Sequence, residues 1–306
     1  MIFSFFSKSS FLSYILALVL LGVALYSHEI STMTFPYDAE KRLTLLLLCA
    51  CMLAVDWSVK QRYWASKANY HLVIFSFSVF ALPIESWNNW LLVFFFFFWT
   101  ALNYLVGIDP SGNQNKKVFN AFFFFYLGGL FYPQGVIFFP LLWGTLSFQG
   151  RINARTAAIS LLPLVSFYLL EVIFTFIFPQ GFLIALPKIE QVEFSLPWTS
   201  IFRHNLWWLL LLLLLLFSMF RHYIEMSTKS AAYGLGIYVL WATAAMAIGF
   251  GLFFQSQSQW AWLLLIMTIS ALSTRFFEGI KRNWLRELLF MLLLSVLLYG
   301  KYGYPV

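Results

Sequence analysis

Apolar residues run along this chain in long blocks, separated by short polar connections. Eleven blocks stand out, at 10–27, 42–57, 69–83, 88–106, 118–132, 134–148, 157–178, 205–220, 231–254, 259–274 and 286–300. A bilayer-crossing helix takes about 20 predominantly apolar residues, fewer where a flanking Lys or Arg reaches back to the interface. The pattern predicts an all-α fold: a polytopic transmembrane helical bundle of about eleven spans. The second, third, fifth and sixth blocks are short, which leaves re-entrant hairpins as an alternative, and the Pro-Gln-Gly turns at Pro133 and Pro179 fit it.

Composition sharpens the class. Of 306 residues, 61% are hydrophobic and 10% charged, and the mean hydropathy is +0.80. An average soluble domain carries about 25% charged residues. The balance excludes a soluble globular protein, a disordered chain and a disulfide scaffold. The organisation predicted is one integral-membrane domain over 1–306, with no soluble domain and two outer loops with room for structure, 27–42 and 179–204. Cys49 and Cys51 stand at i and i+2 of an apolar run, so on a helix they point apart and read as small apolar filler.

The net charge of +7 has a topological explanation. With the N-terminus inside, alternate connections place fourteen basic residues on the inner side: Lys8, Lys60, Arg62, Lys67, Lys116, Lys117, Arg151, Arg155, Arg221, Lys229, Arg275, Lys281, Arg282 and Arg286. Five fall outside, Lys41, Arg42, Lys188, Arg203 and Lys301. The acids show no such bias. Basic residues accumulate on the cytoplasmic side, so the expectation is N-inside and C-outside. The N-terminal block is read as an uncleaved first helix, because Tyr26-Ser27-His28-Glu29 offers no small-x-small cleavage site. Trp57, Trp87, Trp90, Trp198, Trp207, Trp208, Trp260 and Trp284 lie near block ends, as an interfacial belt requires. The run Phe94 to Phe98 reads as lipid-facing.

Few polar residues could carry chemistry. Glu171 stands inside the seventh block, where a carboxylate is costly and is expected protonated, paired or facing a wet cavity. An outer cluster combines His28, Glu29, Asp38, Glu40, Lys41 and Arg42 with Arg203 and His204. Acids near basic pairs at a membrane surface suit a lipid phosphate, with Lys41, Arg42, Arg203 and His204 as its ligands and Glu29 or Asp38 as a catalytic base; ordinary solvated loop charge is the alternative. His71 and His222 have no partner at metal-ligand spacing, so no metal site and no cofactor are implied. The basic run Arg275 to Arg286, with Trp284, reads as a hold on the anionic inner leaflet or on a protein partner.

The start Ser4-Phe5-Phe6-Ser7-Lys8-Ser9, the stretch Lys116-Lys117-Val118-Phe119-Asn120-Ala121 and Leu130-Phe131-Tyr132-Pro133-Gln134-Gly135 resemble an uncharacterised multi-pass membrane family of Bacteroidota. That resemblance implies the inner membrane of a Gram-negative cell, with the periplasm outside. The layout alone is similar to the C superfamily of polyprenyl-phosphate-sugar glycosyltransferases, which implies Glu29 or Asp38 as base; the long first loop and soluble outer domain of many such enzymes are missing. Three function classes follow. One is a structural or accessory subunit of a cell-envelope assembly. Another is a polyprenyl-phosphate-linked glycan enzyme or lipid-handling protein. The third is a proton-coupled transporter using Glu171. The partners expected are the lipid bilayer, a membrane protein and a polyprenyl phosphate, and no nucleic acid.

Overall fold

The computed structural model describes residues 11–26, 39–61, 68–80, 88–106, 113–177, 206–229, 231–253 and 258–302. Among these residues all regular structure is helical. The helices are α1 (Phe11–Leu25), α2 (Ala39–Gln61), α3 (Tyr70–Phe80), α4 (Asn89–Val106), α5 (Gln114–Phe131), α6 (Phe139–Phe148), α7 (Ala154–Ile177), α8 (Leu206–Met226), α9 (Ala231–Phe253), α10 (Ser258–Gly279) and α11 (Asn283–Tyr302). One helix falls on each apolar block. Among the described residues three stretches are long and apolar enough to cross a membrane, Ala39–Gln61, Asn89–Val106 and Tyr233–Phe250. At 1.5 Å per residue α3 is about 16 Å long, short of the roughly 30 Å of a hydrocarbon core.

The helices divide into two compact units, a terminal one from 1–87 and 193–306 and a central one from 88–192. In the terminal unit α10 packs against α2, α3, α8 and α9, and α3 packs against α1, α2, α10 and α11. Both helices are apolar nearly all round. From Leu263 to Thr274 every residue of α10 is buried, and so is every residue of α3 except Phe77. A helix without a polar face has to be enclosed by others, and these two form the centre of the unit. Most of their hydroxyls are met locally: Ser76, Thr268, Ser270 and Thr274 bond to backbone carbonyls one turn back, whereas the buried Ser78 hydroxyl has no partner among the described residues.

The central unit is held by rings. The expectation that Phe94 to Phe98 faces lipid is wrong for most of the run. Phe94, Phe95 and Phe98 are fully buried, in contact with Phe125 on α5 and with Phe138. Gly135 explains how the packing closes: a Cβ there would run into the Phe94 ring. Gly135 belongs to the 3₁₀ turn Pro133–Phe138, which joins α5 to α6. Within that turn the Tyr132 hydroxyl bonds to Gln134 Oε1, and the Gly135 amide donates to the Tyr132 carbonyl at 2.9 Å. The second Pro-Gln-Gly, at Pro179, lies outside the described residues. At the far end of α6, Gly150 takes φ +64°, and the Arg151 amide donates back to Leu146 O at 3.1 Å. Only a residue at ease in the left-handed region closes a helix this way.

Candidate functional site

In the terminal unit the polar side chains gather where helix ends meet. Asp56 lies near the end of α2, and three donors converge on its carboxylate. Lys60, one turn on, stands 2.9 Å from Oδ1. The Tyr14 hydroxyl of α1 donates to Oδ2 at 2.9 Å, and Lys60 also bonds to that hydroxyl. His71, at the start of α3, approaches Oδ1 through Nε2 at 2.7 Å. The ring is fully buried and its Nδ1 has no partner among the described residues. With Nε2–H donating to the carboxylate, a neutral imidazole leaves only a lone pair at Nδ1, which is cheaper to bury unmet than an N–H. Beside this pair Asn69 Nδ2 donates to Ser13 Oγ at 2.6 Å, a second link between α1 and the turn before α3.

A second set follows from α8, α9 and α10. Glu225 pairs with Arg221 at 3.0 Å and with Arg275 at 3.4 Å. Arg275 also donates to Glu278 Oε2 at 3.1 Å, and Glu278 Oε1 accepts the Ala68 amide at 3.4 Å. Arg275, Glu225 and Glu278 are 17%, 16% and 12% exposed, so the pairs of Arg275 are enclosed, whereas Arg221 is 41% exposed. His222 Nε2 donates to the Leu272 carbonyl at 3.0 Å, which leaves Nδ1 to accept from the Tyr233 hydroxyl at 2.7 Å. Arg286 of α11 donates to Tyr70 OH at 2.9 Å and to the Ile280 carbonyl.

These contacts have a common geometry. They join the starts of α1, α3, α9 and α11 to the ends of α2, α8 and α10. Sequence-adjacent helices therefore run in opposite senses within the unit. The central unit alternates too. Gln149, just after α6, donates to Leu105 O near the end of α4 at 2.8 Å. Asn115 of α5 accepts from Arg155 of α7, Nη2 at 2.9 Å and Nε at 3.3 Å, when its amide oxygen is turned to the guanidinium.

The sites expected from sequence fare differently. Glu29, Asp38, Arg203 and His204 lie outside the described residues. Lys41 and Arg42 are on the first turn of α2, the former half-buried and the latter exposed. Asp56 is 14 residues beyond Arg42, about 21 Å along the axis, so Lys41 and Arg42 stand at the opposite end of α2 from the Asp56 network. Glu171 lies on α7, its side chain outside the described ones, and Pro163 sits inside the same helix. The run Arg275 to Arg286 divides: Arg275 and Arg286 turn into the network, whereas Lys281, Arg282 and Trp284 are exposed. Trp57 and Trp90 are exposed as well, as interfacial anchors would be. Among the described residues no group of three or more His, Cys, Asp and Glu is placed to hold a metal ion, and Cys49 and Cys51 carry free thiols.

Sequence reading missed the network, although its local halves were visible. Asp56 and Lys60, Arg221 and Glu225, and Arg275 and Glu278 stand at i,i+4 or i,i+3, the spacing at which helix side chains meet. Comparison with protein-family models, with curated proteins and with solved structures finds no match to this chain.

Proposed function

We propose that the chain is a multi-pass inner-membrane protein, N-terminus in the cytoplasm, that serves as a structural or accessory subunit of a cell-envelope assembly. One observation carries the subunit role. Polar contacts tie helix ends of the terminal unit together, Arg275 to Glu225, Tyr14 and His71 to Asp56, and Arg286 to Tyr70, and this arrangement suits holding a bundle together. The meeting of alternate helix ends supports a repeated crossing, and the basic-residue bias supports its direction. The inner membrane is the location that the Bacteroidota resemblance implies. Copurification in mild detergent, with mass spectrometry of proteins and lipids, tests the role. A stoichiometric membrane-protein partner is expected; the protein alone in repeated preparations overturns the subunit reading. Reporters fused after Arg155 and after Glu190 test the threading, with cytoplasm and periplasm the expected answers. The same answer from both defeats it.

A second reading is favoured by His71. A fully buried imidazole on a carboxylate, with its other nitrogen unmet, suits a proton-coupled transporter centred on Asp56 and His71 rather than on Glu171. Asp56→Asn separates the two readings. Normal protein level with loss of proton movement in proteoliposomes supports transport. Loss of protein level, with proton movement per folded molecule unchanged, supports the clamp.

A further inference from the structure

The two units treat their cations differently. In the terminal unit Lys60, Arg221 and Arg275 each face a carboxylate. In the central unit Lys116, Lys117, Arg151 and Arg155 collect at one end, and the only acid on its described stretches is Glu171. That residue is 16 positions beyond Arg155 on the same helix, about 24 Å away. Asp109, the acid nearest in sequence, lies outside the described residues. No described carboxylate pairs with Lys116, Arg151 or Arg155.

The described contacts at Arg155 and at the Arg151 backbone are with neutral groups. Arg155 is fixed by the Asn115 amide, which directs the guanidinium without cancelling its charge. Arg151 is half-buried in the turn that Gly150 closes, and its carbonyl accepts from Thr156 Oγ1 at 2.7 Å. Its Nη1 is shut away from solvent and has no hydrogen-bond partner among the described residues. The helix field acts in the same sense. Asn115 meets Arg155 at the starts of α5 and α7, and Phe123 stacks on Phe167 further along at 5.4 Å. The two helices therefore run parallel and present two positive dipole ends together.

We propose that this end of the central unit, with Lys116, Arg151 and Arg155, binds the phosphate of an anionic phospholipid headgroup. An oxyanion would meet three cations that no described carboxylate neutralises, in the field of two positive helix ends, while the adjoining apolar helices lie at the depth of the acyl chains. The proposal rests on the chain being a membrane protein and is independent of the subunit role. Lys281 and Arg282, exposed beside Trp284 in the terminal unit, supply an internal control with equal surface charge.

The test uses the full chain in mild detergent and native mass spectrometry. Phosphatidylglycerol is titrated against phosphatidylcholine of the same acyl chains, with inorganic phosphate as a third probe. The unaltered protein is expected to retain phosphatidylglycerol preferentially. Each cation near a membrane surface is worth roughly a five-fold change in anionic-lipid affinity. Arg151→Gln with Arg155→Gln should then weaken retention about 25-fold. Lys116→Gln, exposed and dispensable for folding, should weaken it about five-fold, so a folding failure of the double variant leaves the test intact. Lys281→Gln with Arg282→Gln should weaken it clearly less than the central double variant does. Equal retention of both lipids, or equal losses in both units, overturns the site. Displacement by inorganic phosphate alone overturns the headgroup as its occupant. A protein that stays in solution without detergent overturns the membrane reading instead.

Discussion

The terminal unit and the central unit solve one problem with different materials. Both consist of apolar helices whose outward faces are as oily as their inward ones, so apolar burial against lipid distinguishes the two faces poorly. The terminal unit adds directional contacts. Asp56, Glu225 and Glu278 connect α1 to α2 and α3, α8 to α10, and α10 to the turn before α3. The central unit adds shape. Rings from α4, α5 and the 3₁₀ turn interlock around Phe94, and a glycine makes room for them. Directional bonds fix an angle and a register through a few atoms; ring packing fixes them through area. The first kind fails when one partner is lost, and the second when volume changes.

The largest effect is therefore expected from volume in the central unit. Phe94→Ala removes a ring that touches Phe95, Phe98, Phe125, Tyr132 and Phe138. Phe→Ala in a packed core costs about 4 kcal/mol. Hydrogen exchange should show the loss on α4 and α5 and leave α10 protected. Equal loosening of α10 would end the claim that the units are held separately.

Next comes Asp56→Leu in the terminal unit. It leaves Lys60 and the buried His71 without their common acceptor. Removing one partner of an enclosed pair costs about 3 kcal/mol. The loss should appear as a lower thermal midpoint in detergent and as faster exchange on α1 and α3. A smaller loss than that of Tyr14→Phe, which removes a single hydroxyl, would show that the carboxylate is not the hub.

Both variants bear on what could be read from the chain alone. The helices were legible because apolar blocks and short polar connections are a property of local sequence. The buried role of Phe94, Phe95 and Phe98 was not, since a ring in a membrane segment has the same composition whether it meets lipid or another helix. For the network, each i,i+4 half was legible and the closing contacts were not. Asp56 to His71 spans 15 residues, Ala68 to Glu278 spans 210, and Tyr70 to Arg286 spans 216. Only the threading could bring them together, and the basic-residue count does assign these helix ends to one side. Of the outer cluster, Lys41 and Arg42 stand on the first turn of α2, while Glu29, Asp38, Arg203 and His204 lie outside the described residues.

Gly135→Ala probes the shape of the central unit from the other direction. The added methyl would collide with the Phe94 ring, which is itself in contact with five other rings and cannot move without displacing them. Overpacking of this kind costs about 2 kcal/mol. Combining it with Phe94→Leu should recover part of the loss, because the smaller side chain leaves room for the methyl. Additive losses in the pair would mean that Gly135 matters for its turn and not for the contact.

The smallest effect is expected at Glu171, the residue that the sequence marks most strongly. It stands on α7 among Leu169, Val172 and Ile173, all exposed, so its helix offers an apolar surface on several sides there. Residues one turn away, Phe167, Tyr168, Phe174 and Thr175, bring hydroxyls and no positive charge. Glu171→Gln preserves size and hydrogen-bonding capacity, so the stability change should stay within about 0.5 kcal/mol. Glu171→Lys places a long cation at the same depth, at a cost of roughly 3 kcal/mol, and should lower protein level in the membrane. The informative variant is Glu171→Leu. If protein level and partner recovery match the unaltered chain, the carboxylate is incidental and transport through it is ruled out. If Glu171→Gln is tolerated and Glu171→Leu is not, the group serves as a hydrogen-bonding tie, and the central unit then shares the directional strategy of the terminal one at a single position.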